Sequence, residues 1–170
     1  MKIQRIKWTI RKFNFDFPVG MFPVIIERLR GTAPRIEEII KNIPEKNLEQ
    51  SINNAWSVKQ HIGHLSDLEE LHESRIDDFK NGLRTLRPAD MTNLKTNEAN
   101  HNSAAIGKLI SDFRNARNHF ISRIENKTEY ELLVSSIHPR LNQPMRLIDM
   151  TFFVAEHDDQ HVTIMREIIS

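Results

Sequence analysis

Apolar residues recur at every third or fourth position along four long segments of the chain, which is the spacing of one face of an α-helix. The segments run from about Pro23 to Ile43, from Trp56 to Phe79, from about Asn97 to Glu125, and from about Leu147 to the C-terminus. Helices that each carry one apolar face bury those faces against one another. The pattern therefore predicts an all-α protein, an up-down four-helix bundle with some long connections.

Local signals set the ends of two of these helices. Pro34 lies inside the first segment and is expected to kink that helix or divide it in two. Ser57 is a good N-cap for the second helix, and Gln60, three residues later, completes a capping-box pattern. Gly82 is expected to end the second helix.

Two further stretches lie outside the helical pattern. Phe13, Phe15 and Phe17 alternate with polar residues, which predicts an extended arm laid on the bundle. The stretch that contains Pro139 and Pro144 is expected to form an ordered loop between the third and fourth helices. The bundle is thus predicted to carry an N-terminal arm and long loops.

The composition is that of one ordinary globular domain. The chain has 170 residues and a formal net charge of +1, so no global field attracts nucleic acid or an anionic membrane. It contains no cysteine, which excludes disulfides, protein thiolate nucleophiles and cysteine-ligated zinc. No stretch approaches the ~20 apolar residues of a membrane helix, and the N-terminus lacks the pattern of a signal peptide. We therefore expect a cytoplasmic protein with no membrane partner.

The N-terminal arm carries a run of basic residues, which raises the alternative of nucleic-acid binding. The run consists of Lys2, Arg5, Lys7, Arg11 and Lys12. The near-zero net charge and the lack of a nucleic-acid motif argue against that alternative. A solvated face is the preferred interpretation, with no nucleic-acid partner.

Two histidines of the fourth segment stand where leucine would pack better. His157 and His161 lie in the middle of the apolar face that Phe153, Val154 and Met165 help to form. Their i, i+4 spacing places the two rings one above the other on a helix, where both can bind one metal ion. The alternative is that both are buried core histidines, each with a hydrogen-bond partner.

A third ligand has to come from another helix, and the second helix offers His61 and His64. Periodicity leaves both open, because His61 lies nearer the centre of the apolar face and His64 lies toward one flank. The remaining histidines are expected to be surface or packing residues; they are His72, His101, His119 and His138.

Three stretches together resemble the DinB superfamily, and within it the YfiT-like, DinB_2-type proteins. They are ERLRGTAPRIEEII (27–40), AWSVKQHIGHLSDLEELHESRI (55–76) and FVAEHDDQHVTIM (153–165). The resemblance begins at about Phe22, so we divide the chain into an N-terminal arm, residues 1–21, and a DinB-like bundle domain, residues 22–170.

The resemblance implies a four-helix bundle, often a homodimer, that binds one divalent metal ion through three histidines. The ligands map onto His64, His157 and His161, so it is the resemblance that favours His64 over His61. Arg75 matches a basic position of the family. It is expected to bind an anionic group of a substrate or, equally, to pair with a carboxylate at the edge of the core.

A site with three imidazole ligands leaves positions open to water or substrate, which is the layout of a catalytic metal site. The resemblance implies a metal-dependent hydrolase, or a transferase of low-molecular-weight thiols, that acts on a small-molecule substrate. Zinc and nickel both suit imidazole ligands. Asp67 and Asp158 are possible partners that orient the ligands, and no catalytic residue is assigned. The alternative function is a non-catalytic metal-binding or stress-response binding module.

Overall fold

The computed structural model describes residues 3–51 and 55–170 of the chain. Lys2 of the basic arm lies outside these residues. The α-helices are α1 Phe22–Arg30, α2 Thr32–Ile40, α3 Glu45–Leu48, α4 Val58–Lys80, α5 Leu94–Glu98, α6 Ile106–Ile124, α7 Glu129–Leu133 and α8 Leu147–Ile169. Two strands, β1 Ser135–His138 and β2 Gln143–Arg146, form an antiparallel hairpin, and single turns of 3-10 helix span Trp8–Ile10, Val19–Met21 and His101–Ser103. The predicted all-α four-helix bundle is confirmed.

The local signals predicted for the first two segments are confirmed, although α2 ends at Ile40 and not at Ile43. The first segment divides at Gly31 into α1 and α2, and Pro34 falls in the first turn of α2, where a missing N–H costs nothing. Ser57 accepts a hydrogen bond from the Gln60 N–H, and the Gln60 side chain accepts one from the Ser57 N–H. Gly82, at φ +65°, follows the last turn of α4 in a left-handed conformation that glycine adopts without strain.

The predicted start of the third helix is wrong. The long helix α6 begins at Ile106, not at Asn97, and the preceding stretch forms the short helix α5 and one 3-10 turn. Asn100, inside the predicted helix, adopts a left-handed conformation with φ of 48° and breaks that helix, and Asn93, with φ of 54°, precedes α5.

The predicted loop between the third and fourth helices is also wrong, because its second half is the β-hairpin. Pro144 faces Ile137 in the pairing, and Asn142 turns the chain at φ 50°. A proline is tolerated here because β2 is the edge strand, whereas β1 also pairs with Thr85 on its other side. Each strand is four residues long, too short for alternation to stand out from the prolines around it.

The core consists of two apolar clusters with a polar layer between them. Core cluster 1 includes Phe22, Ile25, Leu29, Ile76, Phe79, Phe120, Ile124 and Phe153. Core cluster 2 includes Ile36, Val58, Ile62, Leu65, Leu109, Phe113, Val162 and Met165. Between the clusters, four buried side chains from four helices form the polar layer: Thr32 of α2, Glu69 of α4, Arg117 of α6 and Asp158 of α8.

The order of the clusters along each helix gives the helix directions. The first segment and α8 run from core cluster 1 to core cluster 2, whereas α4 and α6 run the opposite way. Ion pairs of Arg117 with Glu69 and of Arg123 with Asp77 confirm that α4 and α6 are parallel neighbours. The predicted up-down bundle therefore has the order up, down, down, up. Two parallel neighbours need a connection that returns along the bundle, and residues 81–105 form this crossover connection.

The N-terminal arm lies along the bundle as predicted. Phe13, Phe15 and Phe17 are half-buried against core cluster 1, and the residues between them are exposed. The basic side chains of the arm are not all free in solvent, since Arg5 pairs with Glu167 and Arg11 pairs with Glu156, both on α8. Among residues 3–51 and 55–170, no helix has the length and apolarity to cross a membrane.

Candidate metal centre

The antiparallel crossing of α4 and α8 brings three predicted site residues together. His64 comes from α4, and His157 and His161 lie one turn apart on α8. One ring nitrogen from each of these histidines lies within 4.8 Å of the others, and all three side chains are buried. We call these residues the histidine cluster.

The spacing inside the histidine cluster suits a shared metal ion. The Nε2 atoms of His157 and His161 are 3.1 Å apart. Two nitrogens bound to one ion by bonds of about 2.0–2.1 Å stand about 3.0–3.4 Å apart. The Nδ1 atom of His157, on the other side of the ring from this contact, is buried without a hydrogen-bond partner in the described part of the chain.

The three imidazoles of the histidine cluster are neutral near neutral pH. Burial is the main cause that lowers the pKa of His64 to about 4, with a smaller contribution from His61. Burial, and then the neighbouring histidines, place the pKa values of His157 and His161 well below the ordinary value. A neutral imidazole keeps a lone pair, which is the state that binds metal ions.

A hydrogen-bonded chain from Asp67 determines which nitrogen of His64 faces the cluster. The Thr96 hydroxyl donates its single proton to Asp67 Oδ2 at 2.9 Å, so it must accept from His64 Nδ1, which lies 3.1 Å away. The Nδ1 atom of His64 therefore carries the ring proton, and the lone pair is on Nε2. This is the arrangement in which outer hydrogen bonds orient a metal-ligating histidine.

The crossover connection supplies a second partner to Asp67. His101 Nε2 lies 2.9 Å from Asp67 Oδ2, and the His101 ring lies flat over Gly63 of α4. A Cβ atom on Gly63 would meet this ring at 2.3 Å, so only glycine permits the approach. Asp67, one of the two carboxylates considered from the sequence, thus reaches the cluster through Thr96.

Asp158, the other carboxylate considered, points away from the cluster. It accepts hydrogen bonds from Arg117 and from the Thr32 hydroxyl in the polar layer. The reason is helical geometry, since consecutive residues of a helix point about 100° apart. Asp158 is therefore a structural residue and not a partner of His157.

His61 lies on the outer side of the histidine cluster. Its Nδ1 atom is 2.8 Å from Nδ1 of His161, whereas the short contact of His161 with His157 uses Nε2. Burial, and then the charge of Arg5, lower the pKa of His61 to about 4. Of the two histidines that the periodicity left open, the structure places His64 within the cluster and His61 behind His161.

A cavity of about 650 Å³ opens beside the histidine cluster. Its walls come from the N-terminal arm, α4, the crossover connection, the β-hairpin and α8. Trp8 and Trp56 border it, with their rings 5.0 Å from His157 and 4.7 Å from His64, respectively. A small molecule in this cavity would lie next to the cluster.

Arg75 borders the same cavity. Its Nε and Nη2 atoms donate to the backbone carbonyl of Arg87 at 3.1 and 2.9 Å, and it forms no ion pair with any described residue. The predicted pairing with a carboxylate is therefore not observed. Burial is the main cause that lowers the pKa of Arg75 to about 10, which leaves it charged.

The four histidines predicted to be surface or packing residues fall into two groups. His119 is exposed beside Glu73, and His72 packs against Phe120, as predicted. His101 and His138 have further roles, since His101 contacts Asp67 Oδ2 and His138 borders the cavity, which His72 also borders. The glycine inside the second helix was a usable signal for the approach of His101. Nothing in the sequence pattern indicated Thr96 or Trp8.

Comparisons with known proteins agree with this architecture. Among solved structures, YfiT from Bacillus subtilis matches with a TM-score of 0.75 and 16% sequence identity, over 93% of this chain and 91% of that chain. YfiT is described as a "probable metal-dependent hydrolase with an unusual four-helix bundle topology". A comparison with curated proteins gave no match. The family model of the DinB superfamily matches residues 23–165, most of the chain. The chain belongs to the DinB superfamily.

Proposed function

We propose that this protein is a divalent-metal-dependent enzyme that hydrolyses a small molecule or transfers a low-molecular-weight thiol to one. The observation that carries the proposal is the histidine cluster itself, three buried neutral imidazoles with ring nitrogens within 4.8 Å beside a large cavity. His64, His157 and His161 are the proposed ligands of one ion. Zinc and nickel are the proposed metals, because both accept imidazole ligands readily.

Hydrogen bonds from neighbouring residues orient the lone pairs of the cluster toward a shared ion. Asp67 and Thr96 keep the lone pair of His64 on Nε2, and His61 is placed to accept the Nδ1 proton of His161. Three protein ligands leave further coordination positions for a substrate. When bound there, a divalent ion polarises a substrate oxygen and makes a water or thiol nucleophilic near neutral pH.

Hydrolysis is the first reaction to test, since the structurally similar YfiT is described as a probable hydrolase. Protein reconstituted with zinc or with nickel is assayed on p-nitrophenyl esters. A parallel assay offers N-acetylcysteine and 1-chloro-2,4-dinitrobenzene as thiol and electrophile. We expect metal-dependent turnover in one assay, lost in His64→Ala and kept in His119→Ala, whose imidazole is exposed on α6. Equal rates in wild type and His64→Ala would contradict an enzymatic role for the cluster.

The second candidate function is a non-catalytic metal-binding or stress-response module. The observation in its favour is that His61, His161 and His157 form a continuous hydrogen-bonded row, with contacts of 2.8 and 3.1 Å, that satisfies ring nitrogens without chemistry. Such a module would gain thermal stability from the ion, because a ligand of the native state alone raises stability. It would show no turnover in either assay. Homodimerisation and a cytoplasmic location stay predictions from the family resemblance and the sequence.

A further inference from the structure

Two residues that border the cavity near the β-hairpin, His138 and Arg140, each carry a buried hydrogen-bond donor without an acceptor among the described residues. The Leu141 N–H donates to His138 Nδ1 at 3.2 Å, so Nδ1 holds the lone pair and Nε2 carries the proton of the neutral ring. His138 Nε2 is buried without a partner in the described part of the chain. Arg140 Nη2 is in the same state, although Nη1 of Arg140 donates to the Trp8 and Thr9 carbonyls.

These two donors lie against the aromatic wall that leads to the histidine cluster. The guanidinium carbon of Arg140 is 5.6 Å from the ring centroids of Trp8 and of Phe153, and the His138 ring is 5.0 Å from Phe153. The Trp8 ring in turn lies 5.0 Å from His157. A ligand lying along this wall would extend from His138 and Arg140 at one end to the cluster at the other.

The charges around the two donors favour an anion. Arg75 and Arg140 both border the cavity, and neither forms an ion pair with a described residue. Burial, and then these two guanidinium groups, lower the pKa of His138 to about 3, so His138 stays a neutral donor. Burial also lowers the pKa of Arg140, which remains a cation near neutral pH. An unpaired buried guanidinium costs free energy that a bound anion would offset.

We propose that His138 and Arg140, with Arg75 beside them, form a subsite for the carboxylate of a substrate with an apolar body. In this proposal one carboxylate oxygen would accept from His138 Nε2 and the other from Arg140 Nη2, and the Trp8 and Phe153 rings would contact the apolar part. The inference rests on the proposed function in one respect, that the other end of the substrate reacts at the histidine cluster.

The test is calorimetric titration of metal-free protein with 3-phenylpropionate and with its neutral analogue 3-phenylpropionamide. Metal-free protein is used so that the acid cannot bind to an ion. We expect the acid to bind more tightly than the amide to wild type. In Arg140→Met, which keeps an apolar side chain against Trp8 and Phe153, we expect the acid to bind about tenfold more weakly or worse, with amide binding unchanged. The matched control Arg30→Met, at an exposed ion pair of α1, should bind as wild type does.

Equal binding of acid and amide to wild type, or unchanged acid binding in Arg140→Met, would overturn the subsite. The acid–amide comparison in wild type decides the question even if the variant does not fold. If inorganic phosphate displaces 3-phenylpropionate and binds more tightly than it does, the carboxylate assignment is overturned. Because no metal is present, binding of the acid does not depend on the metal content or turnover of the protein. The carboxylate subsite and the proposed enzymatic function can therefore be contradicted independently.

Discussion

At the residue scale, two side chains orient His64 for a metal ion. The Thr96 hydroxyl accepts a hydrogen bond from His64 Nδ1 and donates one to Asp67 Oδ2. Thr96→Val keeps the shape of the side chain and removes the acceptor. We expect metal affinity to fall about 10–100-fold, the usual effect of losing such an outer partner. Competition with a coloured chelator measures this, with Thr92→Val, at an exposed threonine of the crossover connection, as the control.

His61 and His64 differ in the effect expected from their removal. His64→Phe removes a proposed ligand, so metal binding should be lost. His61→Phe removes only a partner of His161 Nδ1, so about one ion per chain should remain, bound more weakly. Elemental analysis of the two variants side by side decides the assignment. Metal that persists in His64→Phe and disappears in His61→Phe would show that the ligand from α4 is His61.

The sequence pattern predicted the residues of the cluster only where they share one helix. His157 and His161 were visible because both interrupt one apolar face at i, i+4. The choice of His64 over His61 required the family resemblance, since both lie on the inner side of α4. Nothing in the sequence indicated Thr96, and Gly63 indicated a close approach to α4 without identifying His101 as the residue that makes it. Both contacts depend on how residues 81–105 return along the bundle.

At the element scale, the polar layer ties the helices together between the two apolar clusters. Arg117 donates to Glu69 of α4 at 2.6 and 3.0 Å and pairs with Asp158 of α8. Arg117→Met would leave two buried carboxylates without their cation, at a cost of about 3–5 kcal/mol in the free energy of unfolding. Urea denaturation measures the loss. Arg114→Met, which breaks a partly exposed pair with Glu37, should cost about 0–1 kcal/mol. Equal costs in the two variants would contradict a stabilising role for the layer.

The helices themselves were predictable, but their directions were not. An apolar stripe shows which face of a helix is buried. It does not show whether that helix runs parallel or antiparallel to its neighbour. The parallel placement of α4 and α6 follows from contacts such as Arg123 with Asp77, which are distant in sequence. The hairpin and the late start of α6 were missed for a local reason, since strands of four residues and left-handed asparagines leave no periodic signal.

At the scale of the whole molecule, stability should depend on pH through buried neutral histidines such as His138. The pKa of His138 in the folded protein is about 3, whereas its ordinary value is 6.5. As the pH falls below 6.5, the unfolded chain therefore binds a proton at His138 that the folded chain does not bind. Stability should therefore fall as the pH drops below 6.5. At about pH 5 the contribution of His138 is a loss of about 1–2 kcal/mol relative to neutral pH.

Urea denaturation of metal-free wild type and His138→Gln at both pH values tests this. The variant lacks the titrating group, so its free energy of unfolding should fall less between the two pH values than that of wild type. Equal decreases in the free energy of unfolding of wild type and His138→Gln would contradict a buried neutral His138.

Glu69 is expected to make stability sensitive to acid in a second, lower pH range. Burial raises the pKa of Glu69, but Arg117 and His72 outweigh burial and hold it at about 2, so its contribution is lost below the ordinary carboxylate range.

The cavity and the histidine cluster together depend on the complete fold, because the arm, the crossover connection and the hairpin all reach the groove between α4 and α8.

The most direct test of the central proposal is to measure the metal content of protein purified without a histidine tag. Wild type is compared with His157→Ala and with the control His119→Ala. The account predicts about one zinc or nickel ion per chain in wild type and in the control, and none in His157→Ala. No metal in wild type, even after zinc and nickel are added back, would contradict it and leave His157 and His161 as hydrogen-bonded residues of the core.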